Sequence, residues 1–440
     1  MALLPSPLPC TKLWHATEVR PLPRDQEIFM KPIDSLRVRL GGSHRDREAT
    51  FQLPKEWQAA LCPPDGAPLL QPADIARTFA QPMGSATIRE RATGAKSAAI
   101  LVDDFRRPTP AEALCLTVIE ELNQAGIQKE GIRIFLGNGA HRTMTEDECR
   151  QRLGRAFDQV AEVISHDAFS PDVAYFGVTA GHTPVLINRQ AAEADFSISM
   201  STVYPHTLTG WGGGAKMVLP GIAHVSTSHY HHMNQAAGEW GGDPGLSPAR
   251  LDLEEAAAMF GLDMSICCVI GEGKQLVGLT VGDPTQAHRQ AVALARDAYA
   301  TDMGVTPPDL VIANSYPMDG DPTQLGKTEI PASQMGVPIL IIMDFADPCP
   351  WHGVYHGPWS EFASKPQPSL PEHTPELLAN AAVFMYCPQA ADGYVPESRS
   401  WYCDHDWDRL MAAMVQRFPK ANVAVLPIAP LQIPRSAVDA

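Results

Sequence analysis

The stretch that decides the fold runs from residue 98 to residue 142 and reads AAILVDDFRRPTPAEALCLTVIEELNQAGIQKEGIRIFLGNGAHR. Ala98 to Val102 is a short apolar run of the kind that forms a buried parallel strand. Pro110 suits the first turn of a helix, where no backbone N–H is needed, and a helix is predicted from Ala111 to about Gln124. A second strand is predicted from Ile132 to Leu136. This strand–helix–strand unit predicts an α/β fold.

Polar side chains follow both of these strands. Asp104 and Arg107 come just after the first strand, and His141 and Arg142 come just after the second. Ligands of open α/β sheets bind at the carboxyl edge of the strands, so the two clusters together predict a binding site at that edge. The alternatives are an ion pair between Asp104 and Arg107 within their loop, and a structural role for His141.

The α/β pattern continues along the chain, with a break at Thr306-Pro307-Pro308. We predict an N-terminal extension over residues 1–45, an α/β domain over 46–290, and a second α/β domain over 291–440 whose last strand or tail could return to the first. Further strands are predicted near residues 160–164, 196–200, 310–313, 338–343, 382–386 and 422–426, with a hairpin over 173–187. The predicted sheets are parallel or mixed.

Charge and composition exclude several classes of partner. The chain has 34 Lys and Arg against 50 Asp and Glu, a net charge of −16 with its 15 histidines neutral. Such acidity argues against nucleic-acid and anionic-membrane partners. No apolar run approaches the ~18 residues needed to span a bilayer, and the N-terminus does not resemble a signal peptide. The nine cysteines are scattered without a CxxC pair, which is typical of a reduced, cytoplasmic protein.

A glycine-rich run spans Gly210 to Lys216 and reads GWGGGAK. It fails the P-loop template because Ala215 precedes the lysine and Met217 stands where Ser or Thr should hold magnesium. Its consecutive glycines, Gly212 to Gly214, would still let backbone N–H groups approach an anion. Lys216 is therefore a candidate phosphate clamp or covalent amine; the alternative is a flexible turn with a solvated lysine.

Two further segments carry candidate ligands. His229, His231 and His232 could supply metal ligands, or could be surface or core histidines. No HExxH or CxxC motif accompanies them, so zinc hydrolase chemistry is weakly supported. Gln324 and Lys327 lie where a loop enters a predicted helix, whose N-terminus with Lys327 would make a carboxylate site. The alternative is a solvated helix start.

Five motifs, in this order, resemble those of the nickel-dependent lactate racemase family, over roughly residues 50 to 430. They are Asp104-x-x-Arg107-Pro108 (DxxRP), Gly137-x-Gly139-x-His141-Arg142 (GxGxHR), His206 ten residues before Lys216 (GGxKxxxPG), His232 sixteen residues after that lysine, and Gln324-x-x-Lys327 (QxxK). A series of five with matching spacings is far more specific than any one of them.

The resemblance implies a racemase or epimerase of a 2-hydroxy acid with its active site in the cleft between the two domains. It implies a nickel-pincer nucleotide, a pyridinium-3-thioamide-5-thiocarboxylic acid mononucleotide carrying nickel, which cofactor-synthesis proteins would supply. By resemblance, the catalytic acid/base residues are His141 and His206, the tether is Lys216 and the nickel ligand is His232. The same resemblance gives Arg107, Gln324 and Lys327 as the substrate-binding residues. It gives the other cofactor-binding residues as Asp104, Arg107, Gly212, Gly213 and Gly214.

The chain departs from the family at Trp211, at Thr323, in the segment 344–353 and in its N-terminal extension. These departures favour a 2-hydroxy acid or sugar acid other than lactate. Two other functions remain open: a protein that binds the cofactor or a hydroxy acid without turnover, and a histidine-ligated metallohydrolase.

Overall fold

The structure is a computed structural model that describes residues 32–42, 46–303, 308–320, 324–345, 354, 373–388 and 401–438. Its strands form two large sheets, which we call the first and the second sheet. The strands of the first sheet, in spatial order, are Leu276–Gly282, Met264–Ile270, Phe196–Thr202, Ala98–Asp103, Ile132–Gly137 and Glu162–Ser165. All neighbours are parallel except Leu276–Gly282, which runs antiparallel to the next strand.

The second sheet is also mixed. Its strands, in spatial order, are Pro32–Ile33, Trp57–Leu61, Ala421–Leu426, Leu310–Asn314, Ile339–Ile342, Val383–Tyr386 and Trp401–Asp404. Only Pro32–Ile33 runs antiparallel to its neighbour. The predicted α/β class with parallel and mixed sheets is therefore confirmed.

Helices and short hairpins complete the fold. The α-helices are Pro72–Ala80, Ile88–Ala92, Ala111–Gln124, Glu146–Leu153, Arg189–Ala192, Val225–Asn234, Pro248–Phe260, Pro284–Tyr299, Leu325–Ser333, Pro375–Asn380, Trp407–Arg417 and Arg435–Val438. The two-stranded pairs are Ser35–Leu40 with Arg47–Gln52, Val173–Val178 with Pro184–Asn188, Pro205–His206 with Gly210–Trp211, and Ala300–Thr301 with Ile433–Pro434. None of the helices within the described ranges is long and apolar enough to cross a membrane.

The stretch that suggested the fold forms the centre of the first sheet. Every residue of Ala98–Asp103 is buried, as expected for a strand with neighbours on both sides. The helix spans Ala111–Gln124, and Gly126, at φ +103°, follows its end. The next helix begins with a capping box, in which Thr145 and Glu148 each accept a hydrogen bond from the other's backbone N–H.

A strand close to the N-terminus belongs to the second sheet. Trp57–Leu61 pairs with Ala421–Leu426 in the second sheet, whereas the sequence groups residues 46–290 in one predicted domain. The reason is long-range: Trp57 and Ala59 are buried in the core of the second sheet, which sequence periodicity does not reveal. Residues 1–31 of the predicted extension lie outside the described residues, and the boundary near residue 290 stays a prediction.

An apolar cluster joins side chains from both halves of the chain. Tyr204 and Trp211 from the first half pack in it with Tyr316, Leu431 and Ile433 from the second. The strand pair Ala300–Thr301 with Ile433–Pro434 lies beside this cluster. The contact brings the polar loops that follow Leu310–Asn314 close to the carboxyl edge of the first sheet.

Candidate functional site

One pocket collects the residues that the motifs single out. It is lined by Asp104, Arg107, His141, His206, Gly213, Lys216, His232, Gln324 and Lys327, among others. They come from loops after three strands of the first sheet, from the helix Val225–Asn234, and from the start of the helix Leu325–Ser333 in the second half. Gly212 and Gly214 do not line the pocket. The carboxyl edge of the first sheet is therefore the place where these side chains meet.

Asp104 holds His141 through one carboxylate oxygen. Asp104 Oδ2 lies 3.1 Å from His141 Nδ1 and accepts a hydrogen bond from Arg106 Nη1 at 3.0 Å. Burial alone would raise the pKa of this carboxyl, but the His141 hydrogen bond and the charges of Arg106 and Arg107 hold the pKa well below its ordinary value. A carboxylate that is always charged keeps the proton on His141 Nδ1 and makes Nε2 the nitrogen that can take a proton.

Asp104 forms a buried ion pair within its loop with Arg106, whereas the alternative drawn from the sequence named Arg107. The guanidinium of Arg107 lies 6.0 Å from the ring centre of Tyr204 and lines the pocket. Arg142 points to another contact and pairs with Glu148 at 2.7 Å. Arg107 is therefore the arginine of this loop that is placed to meet a ligand.

Tyr204 is a pocket residue that the motifs do not single out. Lys327 Nζ lies 5.7 Å from the ring centre of Tyr204, so the ring faces both Lys327 and Arg107. Lys327 also donates a hydrogen bond to Gln324 Oε1. Tyr204 lies two residues before His206. The sequence marks it only as an aromatic residue near the end of a predicted strand. The ring therefore lies beside two cations at one side of the pocket.

Lys216 and His206 are in contact. Lys216 Nζ lies 3.4 Å from His206 Nε2. Burial, followed by the charges of Arg250 and Arg107, lowers the pKa of Lys216 to about 7. Burial, followed by the charges of Lys216 and Lys327, lowers the pKa of His206 well below its ordinary value. The lysine is therefore available as an uncharged amine near neutral pH, which a nucleophile requires.

The glycine-rich run is fixed by side chains from two helices. Arg250 Nη1 donates to the Gly213 carbonyl at 2.9 Å, and His288 Nε2 donates to the Gly212 carbonyl at 2.9 Å. A Cβ on Gly212 would lie 2.6 Å from the Tyr204 ring, and one on Gly214 would lie 3.0 Å from Arg250 and His288. These glycines permit close packing that fixes the loop before Lys216. Arg250 and His288 carried no recognisable motif.

The histidines of the helix Val225–Asn234 make different contacts. His231 is fully buried and its Nε2 donates to the Ala249 carbonyl at 2.8 Å. His232 lines the pocket, and its Nδ1 donates to the Ser228 carbonyl at 2.7 Å. That bond leaves Nε2 of His232 as the nitrogen with a lone pair, the arrangement found in metal-ligating histidines. His229 Nδ1 contacts the Val354 carbonyl at 3.2 Å.

The positions at which the chain departs from the family motifs mostly lie outside the described residues or do not line the pocket. Trp211 is fully buried and donates its indole N–H to the Gly242 carbonyl at 2.8 Å, and it does not line the pocket. Thr323 and residues 346–353 lie outside the described residues. Trp211 therefore has a structural role, and its difference from the family says nothing about the substrate.

The fold and the pocket define an α/β protein that gathers imidazoles, a buried lysine and further cationic side chains at the carboxyl edge of a parallel sheet. Residues 44–241 match the lactate racemase N-terminal domain family. The chain is 25% identical to lactate racemase of Thermoanaerobacterium thermosaccharolyticum, covering 67% of this chain and 70% of that protein. It is 26% identical to lactate racemase of Lactiplantibacillus plantarum, covering 64% of this chain and 68% of that protein.

A solved structure has the same fold. The lactate racemase apoprotein of T. thermosaccharolyticum aligns with a TM-score of 0.66 and 19% identity, over 91% of this chain and 100% of that one. The resemblance of this chain to lactate racemases, which the five motifs indicated, is therefore confirmed.

Proposed function

We propose that the protein is a racemase or epimerase of a 2-hydroxy acid that works with a lysine-tethered nickel-pincer nucleotide. The observation that carries the proposal is the pocket itself. His141, His206, Lys216, His232 and Lys327 are far apart in sequence and line one cavity. Its relatives named lactate racemase support the reaction class.

The residues present fit the nucleotide. Lys216 would form the covalent tether, since its amine has a pKa near neutrality. His232 would bind nickel through Nε2, because its Nδ1 donates to Ser228. No group of three or more His, Cys, Asp or Glu side chains within the described ranges could hold a metal, so the remaining nickel ligands would come from the nucleotide. When bound, the nucleotide supplies the acceptor for the hydride on C2 of the substrate.

His141 and His206 would handle the proton of the substrate hydroxyl. His141, held by Asp104, would take the proton through Nε2. His206 would serve the mirror-image orientation of the hydroxyl, because the two enantiomers place it on opposite sides. An imidazole suits proton transfer because its ordinary pKa lies close to neutral pH, and the lowered pKa of His206 keeps that ring neutral before the reaction.

Arg107 and Lys327 would hold the substrate carboxylate. Both face the Tyr204 ring, and Gln324 accepts a hydrogen bond from Lys327. A guanidinium can bind a carboxylate with two parallel hydrogen bonds, and the ammonium adds a point charge. A fixed carboxylate would act as a pivot and would retain the planar 2-keto acid between the two half-reactions. A substrate other than lactate is proposed from the sequence departures alone.

The experiment is to co-express the chain with cofactor-synthesis proteins and measure its intact mass and nickel content. We expect an adduct on Lys216 and bound nickel in the wild type, and no adduct in Lys216→Ala. A wild-type chain with neither adduct nor nickel would exclude the proposal.

Turnover separates the proposal from the remaining alternatives. Loss or scrambling of deuterium at C2 across a panel of 2-hydroxy acids is expected for a racemase, whereas a protein that only binds would leave the label in place. A metallohydrolase would instead cleave esters or amides with zinc and carry no adduct.

A further inference from the structure

His206 makes hydrogen bonds that fix the position of its ring proton. The backbone N–H groups of Leu208 and Thr209 both point at Nδ1, at 3.1 and 3.4 Å. An atom that accepts from N–H donors cannot itself carry a proton, so the neutral ring carries its hydrogen on Nε2. Because the pKa of His206 lies well below its ordinary value, the neutral ring is the form present at physiological pH.

The proton on Nε2 faces the amine of Lys216, 3.4 Å away. An ammonium group has three donors and no acceptor, so a charged Lys216 would place two donors against each other. An uncharged amine has a lone pair and can accept from Nε2–H. The contact is therefore compatible with one protonation state of the lysine and unfavourable to the other.

We infer that His206 has a second role: it donates its Nε2–H to Lys216 and so holds that lysine as the uncharged, nucleophilic amine. In this role His206 is a positioning residue that acts before any substrate binds. It prepares the amine to attack an electrophilic thiocarboxyl derivative, a step in which the N–C bond forms, the bond from that carbon to its leaving group breaks, and the nitrogen's proton passes to solvent. The inference rests on the proposed function only for the use made of this amine.

The charged groups around this pair act in the same direction. Arg250 and Arg107 lower the pKa of Lys216 in addition to its burial. Lys327, Arg107 and His232 lower the pKa of His206. Every charged group among the largest contributions to either pKa is a cation or a histidine that lowers it. The hydrogen bond from His206 differs from these charges because it depends on ring orientation and can be removed by one substitution.

The test measures the reactivity of Lys216 in the full chain, purified from a host that makes no nickel-pincer nucleotide. Limiting acetic anhydride acylates the free amine: the N–C bond forms, the C–O bond to acetate breaks, and the nitrogen's proton passes to buffer. Peptide mass spectrometry gives the acetylated fraction of Lys216 relative to exposed Lys55. Samples at about pH 6 and about pH 9 bracket the lysine pKa of about 7.

The variant His206→Phe keeps a ring but lacks Nε2–H. Acetylation of Lys216 in this variant should fall about fivefold at about pH 6, which is the effect of losing one hydrogen bond of ordinary net strength. At about pH 9 the acetylation should be unchanged. His206→Gln, whose amide N–H reaches the position of Nε2, should restore the wild-type value. His405→Phe, an exposed histidine after the last strand of the second sheet, is the matched control and should change nothing.

An unchanged or higher value at about pH 6 in His206→Phe would overturn the inference. A rise is expected if an ammonium donated to His206, since loss of that acceptor would favour the uncharged amine. An equal fall at both pH values would also overturn it, because that result reports access alone. A second measurement needs no variant: ¹⁵N NMR of the histidine ring should show Nε2 protonated and Nδ1 unprotonated, and the reverse tautomer would refute the inference. Neither readout needs cofactor or substrate, so an inactive enzyme would leave the answer intact.

Discussion

The carboxylate of Asp104 offers the sharpest test of the acid–base arrangement. Asp104→Asn keeps the shape of the side chain and removes its charge. Both Arg106 and His141 contact the same oxygen, so an amide oxygen in that place could still accept from both. What is lost is the charge that stabilises the imidazolium formed when His141 takes a proton. A hydrogen bond to a charged group contributes about 1.5–3 kcal/mol, which corresponds to roughly a 10- to 150-fold fall in kcat.

The assay follows racemisation of whichever 2-hydroxy acid the wild type converts fastest, using chain with the same adduct occupancy by mass. Asp404→Asn is a matched control, since Asp404 is a buried carboxylate paired with Arg409 at the end of the strand Trp401–Asp404. It should lower stability and leave kcat per folded molecule near the wild-type value. If Asp104→Asn turned over within about twofold of the wild type, the dyad of Asp104 with His141 would have no part in the rate-limiting chemistry.

Three further outcomes can be checked. Arg107→Lys should raise KM about tenfold with a smaller change in kcat, because a lysine cannot hold a carboxylate by two parallel bonds; equal KM values would contradict the carboxylate role. Gly213→Ala should lower the free energy of unfolding by about 2 kcal/mol or more, measured as a lower thermal midpoint. The reason is that Gly213 has φ +79°, and a Cβ there would lie 2.9 Å from the Thr202 carbonyl oxygen. Burial lowers the pKa of His166 to about 4, so the unfolded chain protonates this histidine first and the stability of the fold is lost as pH falls from about 6.5 towards 4. His166→Gln should remove about 3 kcal/mol of that loss, measured by urea titrations at several pH values. An unchanged dependence of stability on pH would refute the assignment.

The elements that sequence predicted correctly are those with local causes. The strand Ala98–Asp103 and the helix Ala111–Gln124 follow from an apolar run and from a proline at the helix start, both within a few residues. The motif residues line one pocket because the carboxyl ends of parallel strands meet at one edge. Their catalytic and binding roles stay predictions.

The features that sequence could not supply depend on contacts between distant segments. Tyr204 faces Arg107 and Lys327 only because the two halves pack together. The orientation of His206 depends on how its own loop turns back to place two N–H groups against Nδ1. The choice of His232 over His231 was made by resemblance, and the structure adds the physical reason: His231 is fully buried and bonded to Ala249.

The pairing of Trp57–Leu61 with Ala421–Leu426 bears on how the protein is made and divided. All strands of the first sheet leave the ribosome by residue 282, whereas the strand at 57–61 must wait until its partner at 421–426 has been made. The first sheet is thus an insertion within the unit that contains the second. A fragment cut at residue 291 would lack two strands of its sheet and expose the edge of Ala421–Leu426, a site for aggregation. A circular permutant that fuses residues 32–61 after residue 438 would place each sheet on one continuous piece of chain.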